Sequence, residues 1–283
     1  MTTAPNLQAQ LVDNPLPEFD APPVVETAMS LQFARLSGFT TAHAGWFWKS
    51  HLKSAGGEWG KLLEQPRIPD QFEQPEGEPP PPALPSMKIL TSGESQRLQL
   101  VRSDDERMIQ IQDSRIILNW RKQSEGYPSY RVLAPDFFKV TGDFERFVAD
   151  AKLGAFEPNQ WEVTYVNQIP RGEMWDTPSD WTKIVPGLYA PRAYGDKTRY
   201  ETMSGDWRFT LGEGRGRIYI AFRHGIVEGG TPSLYLNFTA RGPIDASADI
   251  SLPDKFELGH EAIVRTFANM TSESAHRVWQ RRK

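Results

Sequence analysis

The 283-residue chain has no cysteine, and that one absence removes several kinds of chemistry. Disulfide staples, thiolate nucleophiles and cysteine-ligated zinc or iron–sulfur centres are all excluded. Positive charge is also short: 32 Lys and Arg stand against 36 Asp and Glu, a formal net charge of −4. That balance does not fit a broad basic face gripping phosphate, so nucleic acid is disfavoured as a partner. Long hydrophobic runs are missing too. No stretch approaches the roughly 18 apolar residues of a membrane helix, and no membrane association is expected. The opening MTTAPNLQAQLVDNPLPEFDAPP lacks the basic start and apolar run of a secretory signal. Together with the missing cysteine, it predicts a cytoplasmic protein.

Histidine is sparse, with five in the chain. His43 and His51 lie eight apart on one predicted helix, not the four that set two ligands side by side. His260-Glu261 lacks a second histidine one turn on, and His260 falls in phase with Phe256, Ile263 and Phe267 as a core neighbour. LGEGRGR at 211–217 lacks the Gly-Lys-Ser/Thr ending of a phosphate loop and opens a strand, so it reads as a hairpin connection. No GxSxG elbow is present. These residues assign no catalytic group, no metal site and no cofactor.

What the chain does have is alternation. Residues 1–22 are polar and proline-bearing, predicting a disordered tail. VVETAMSLQF then alternates with the period of a half-buried strand, and TTAHAGWFWKSHLKS reads as a helix. Residues 64–86 are dense in Pro and Glu, predicting an exposed loop. MKILTS, RLQLV and the pair MIQIQ–RIILNWR follow as strands, and GDFERFVADAKLG as a helix. The pattern restarts at WEVTYVNQI. A helix at DTPSDWTKIV, strands at TRYETMS, DWRFTL, RIYIAFRH and SLYLNFTAR, and the helix KFELGHEAIVRTFANM complete it. The fold class predicted is α+β: two tandem pseudo-equivalent halves, residues 23–154 and 155–283, each an antiparallel sheet of about five strands with helices on one face. Leu118-Asn119-Trp120 and Leu236-Asn237-Phe238, each in the last strand before a closing helix, support the duplication, as do Glu26…Gln32 and Glu162…Gln168.

The hairpin MIQIQDSRIILNWR sets the candidate site. With Asp113-Ser114 as a two-residue turn, Ile109, Ile111, Ile116, Leu118 and Trp120 share one face. Gln110, Gln112, Arg115, Ile117, Asn119 and Arg121 share the other. On a continuous sheet, Glu26, Gln32 and these polar residues converge with Glu162, Gln168, Asn237 and Arg241 into a strand-borne binding surface. The alternative is a wet sheet face with cross-strand polar pairs. Asn167, in phase with Tyr165 and Ile169, is a buried amide that must find partners.

PPVVETAMSLQF, IQIQDSRIILNWRK with YPSY after it, and VTYVNQI together resemble the TIGR04255 family of sporadically distributed bacterial proteins. The spacing Gln112, Arg115, Asn119, Trp120, Arg121 is the most specific part of the likeness. Ser129 stands where the family pattern has a basic residue, which puts a positively charged turn there in doubt. The resemblance implies no catalytic residues. Its patchy distribution, like that of toxin–antitoxin and phage-defence genes, implies an antitoxin-like or defence-associated role. The expectation is therefore a non-catalytic module that holds a protein partner through the polar sheet face, the proline-rich loop or both. The alternative is an enzyme or sensor with a small polar or nucleotide-like ligand between the halves.

Overall fold

The computed structural model describes residues 15–52, 59–74, 96–124, 126–190, 197–212, 214–226, 229–245 and 250–283. Among these, nine strands form one open antiparallel sheet in the order β2-β3-β4-β5-β1-β6-β9-β8-β7. The strands are β1 Val24–Phe33, β2 Trp59–Pro66, β3 Gln96–Arg102, β4 Arg107–Gln112, β5 Arg115–Arg121, β6 Pro158–Pro170, β7 Gly205–Leu211, β8 Gly216–Ile226 and β9 Pro232–Pro243. Five helices accompany them: α1 Thr41–Phe47, α2 Tyr130–Asp150, α3 Trp181–Ile184, α4 Leu252–Met270 and α5 Glu273–Val278.

The sheet is continuous because β1 pairs with β6 as well as with β5, so Leu31 lies between Ile116 and Trp161. Alternation then sorts the side chains. Met29, Leu31, Ile109, Ile116, Trp161 and Val163 lie on one face, all essentially without exposure, under α2 and α4. The two helices meet through Phe137 and Phe256, whose ring centroids are 4.9 Å apart. At these areas each large side chain contributes about 1.5–3 kcal/mol. The β4–β5 hairpin has the expected even loop, with Gln112 opposite Arg115 and Ile111 opposite Ile116.

Three expectations need correction. Residues 64–66 belong to an edge strand, β2, not to a loop; Leu62 and Leu63 are 41% and 47% exposed. An edge strand with one neighbour buries little of either face, and alternation gave no sign of it. TRYETMS forms no strand, so β6–β9 supply four strands where β1–β5 supply five. Its polar residues offer no apolar stripe to bury. Finally, part of the terminal tail is ordered: Phe19 bridges to Arg281 and stacks edge-on to Phe267, at 5.5 Å. MKILTS, residues 75–86 and residues 1–14 lie outside the described residues. No helix among the described residues is long and apolar enough to cross a membrane.

Candidate functional site

Part of the polar face is buried, against the expectation of half-exposed strands, while Glu26, Arg121, Glu162, Gln168, Asn237 and Arg241 are half-buried. Gln32, Gln110, Gln112, Arg115 and Asn119 are all at most 6% exposed. Part of the cover comes from residues 67–74, the start of the expected proline-rich loop, which leave β2 and run back across the sheet. This strap crosses the strands, and glutamines from three of them read its backbone.

On β4, the Gln112 carboxamide donates to the Ile68 carbonyl and accepts from the Ile68 amide, both at 2.9 Å. On β1, Gln32 does the same with Gln71, again at 2.9 Å in each direction. On β6, Gln160 accepts from the Glu73 amide at 3.0 Å. A carboxamide carries a donor and an acceptor side by side, the same pair that a peptide group presents. Two of these glutamines therefore close ring-like pairs with the strap's main chain, whatever side chains the strap bears.

Side-chain recognition sits at the two ends. Near the β4–β5 turn, Asp113 pairs with Arg35 and, at 3.0 Å, with Arg67. There Ser114 donates to Asp70 at 2.6 Å. At the far end, over β8, the buried Glu73 carboxylate meets the Arg217 guanidinium and accepts from the Tyr219 hydroxyl. Arg241 and Arg208 lie over the Tyr219 ring at 5.2 and 5.5 Å. Burial, and then the bond to Glu73, raise the Tyr219 phenol above its ordinary range, so it stays a donor at neutral pH.

The polar residues named from the sequence separate into groups. Gln32, Gln112 and Arg115 serve the strap, Arg115 by donating to the Gln32 carbonyl at 2.5 Å. Glu162 stands between Arg241, at 2.6 Å, and Arg115, at 3.9 Å. A second network runs across four strands. Arg97 and Gln99 donate to Gln110, which donates to Asn119 at 2.7 Å, which donates to Glu26 at 2.6 Å. Among the described residues, the hydrogen bonds of these side chains are from Arg121 to the Asp105 carbonyl, at 3.3 Å, and from Gln168 to Ser233, at 3.4 Å. The Asn237 side-chain oxygen is buried without a partner among the described residues. Asn167 lies on the other face, 2% exposed, and donates to the Leu236 carbonyl at 3.0 Å. It fixes a strand backbone, not a loop.

Sequence reasoning missed Glu73, Gln160 and Arg217. Gln160 was legible, since it shares the phase of Glu162 and Gln168. Arg217 alternates with Ile218 in the same way. Glu73 carried no signal, because a lone acid in a Pro- and Glu-rich stretch reads as solvated.

Burial pushes the Glu26 carboxyl up, while Asn119 and then Arg121 pull it down less strongly. A carboxylate whose folded pKa is raised is stabilising when protonated and costs stability as pH rises through that value. Glu26→Gln keeps an acceptor for Asn119 and removes the charge. It should raise stability by about 0.5–1 kcal/mol at pH 8, with the gain shrinking toward pH 4. Urea unfolding at the two pH values checks this; a loss of stability at pH 8 would contradict it.

No protein-family model matches the chain, and no curated protein matches it either.

Proposed function

We propose that the chain is a non-catalytic protein-binding module whose polar sheet face receives an extended, acidic polypeptide segment, with residues 67–74 seated there as a resident ligand in cis. The observation that carries this is the backbone reading by Gln112, Gln32 and Gln160. A sheet face that only needed covering would do so with apolar side chains. Here the strap buries one side chain, Glu73, leaves Ile68 half-buried and holds Phe72 64% exposed. Neutral hydrogen bonds contribute about 1 kcal/mol net apiece, so such a strap is held by terms that a partner segment can replace one for one. The preferred partner is extended, supplies its own backbone groups and ends in a carboxylate for Arg217 and Tyr219. An antitoxin-like role is the form of this module that the family resemblance suggests.

The two-half architecture belongs to the same proposal. Glu26 faces Arg121 across β1–β5, and Glu162 faces Arg241 across β6–β9, so these four residues take corresponding places in a duplicated unit. In that register Thr239 is the counterpart of Asn119, and the Leu-Asn-aromatic triplets are offset by two residues. The strap binds across both units.

A labelled peptide of residues 67–74, RIPDQFEQ, tests the reading in fluorescence anisotropy. A Glu73→Ala chain, whose own strap is weakened, should bind it more tightly than the wild-type chain does. A peptide with alanine at the Glu73 place should bind at least about tenfold more weakly, a difference of about 1.4 kcal/mol. Equal or absent binding of both peptides by the folded variant would reject the reading.

A further inference from the structure

On the opposite face of the sheet, where α2 begins beside α4, lies a cavity of about 410 Å³. That is within the range of small-molecule sites, about 300–1,000 Å³. Tyr165 and Asn167 of β6 line it, with Tyr130 and Arg131 from α2 and His260 and Val264 from α4. The hydrogen bonds that hold the strap among the described residues involve none of these residues, so the cavity is independent of the polar face.

Three features define what it would hold. The first is a flat aromatic wall. Tyr130 stacks on His260 with ring centroids 4.3 Å apart and planes 5° from parallel. Tyr165 bonds to His260 Nδ1 at 2.8 Å. Burial, and then the nearby Arg131 charge, hold the His260 imidazole down to about 4, so the wall is uncharged at neutral pH. The second is an acceptor. Asn167 is 2% exposed and lines the cavity, its nitrogen is spent on the Leu236 carbonyl, and no hydrogen bond reaches its Oδ1 among the described residues. A carboxamide oxygen carries two acceptor sites, which a ligand in the cavity can use. The third is a cation. At the rim, Asp20 pairs with Arg282 at 2.5 Å and Glu18 with Lys283 at 3.0 Å. Arg131 also lines the cavity and makes no ion pair or hydrogen bond among the described residues.

We propose that this cavity is a binding site for a small planar aromatic monocarboxylate that carries a hydrogen-bond donor. The ring lies against the Tyr130–His260 wall, the donor faces Asn167 Oδ1, and the carboxylate takes the Arg131 fork, a two-bond arrangement that lysine cannot reproduce. The charge balance selects a monoanion. Glu18 and Asp20 stand at the same rim and Arg131 already lies in the field of Glu257, so a phosphate dianion would meet carboxylates beside a single arginine.

Isothermal titration of the full chain with indole-3-carboxylate tests the site. Binding tighter than about 1 mM is expected, and weaker by about tenfold or more for indole-3-carboxamide, which lacks the charge, and for 1-methylindole-3-carboxylate, which lacks the donor. Arg131→Gln, an exposed position, should weaken the acid by a similar factor while leaving the carboxamide unchanged. Val264→Phe, which fills the cavity without touching a polar group, should abolish binding of both. The proposal is overturned if the wild-type chain does not bind the acid at that concentration. It is equally overturned if neither variant alters binding, or if adenosine monophosphate binds where the aromatic acid does not.

Discussion

Replacing Glu73 by alanine should expose the strap amides of Ile68, Gln71 and residue 73 to hydrogen exchange while the strands beneath stay protected. The variant leaves Arg217, 2% exposed, without its carboxylate. Removing one partner of a buried pair costs about 3–5 kcal/mol, because the remaining charge loses its counter-charge while staying out of water. The chain has one inexpensive way to relieve that cost: release the strap and let water reach Arg217. Protection of the strap amides should therefore fall by roughly two to four orders of magnitude, at about 1.36 kcal/mol per decade. Global stability should fall only by the free energy of strap opening. Glu73→Leu combined with Arg217→Met removes both charges and should recover much of the protection, since an apolar pair of similar volume commonly matches a buried ion pair. Unchanged strap exchange in Glu73→Ala would mean that Glu73 anchors nothing.

His260 predicts a second large effect, on acid stability. Its folded pKa is depressed from 6.5 to about 4, chiefly by burial and then by Arg131. A base that is harder to protonate when folded stabilises the fold fully above its unfolded pKa and progressively less as pH falls toward the folded one. Between pH 6.5 and 4 the chain should lose up to about 3 kcal/mol from this residue, at 1.36 kcal/mol per unit. Glu257 works in the opposite direction, because burial and then Glu261 raise its carboxyl, so protonation favours the folded state there. His260→Gln separates the two. It keeps a partner for the Tyr165 hydroxyl and cannot ionise, so the acid loss should vanish while the Glu257 contribution persists. An identical acid limb in the variant would show that His260 does not carry it.

These expectations mark how much was legible from residues alone. The β4–β5 hairpin was read correctly down to its register, because period-two alternation on a two-residue turn leaves one arrangement that puts Ile109, Ile111, Ile116, Leu118 and Trp120 on one face. The core strands β1, β6, β8 and β9 followed from the same signal. β2 escaped because a strand at the edge of a sheet needs no apolar stripe, and WGKLLEQP has none. The strap escaped for a deeper reason. It is held by glutamine side chains that pair with main chain, and main-chain recognition leaves no mark on the sequence being recognised. Gln112 and Gln32 were identifiable as polar residues on one sheet face. That they face a peptide backbone, and not water, depends on where residues 67–74 travel.

The same logic separates the two faces of the sheet. Alternation told Asn167 apart from Gln168, placing the first with Tyr165 and the second with Glu162. It could not show that Asn167 would line one cavity with an imidazole from α4, some ninety residues later in the chain, since that placement depends on the angle at which α4 crosses β6.

Native-state hydrogen exchange on the wild-type chain, followed at the amides of Ile68, Gln71 and Glu73, tests the central claim most directly. A face that receives exchangeable segments requires those three amides to open together, at a free energy well below that of global unfolding, while Leu31, Ile116 and Val163 exchange only on unfolding. If the three strap amides instead exchange at the same free energy as the core strands, the strap is a permanent part of the fold. The polar face would then have no room for a partner.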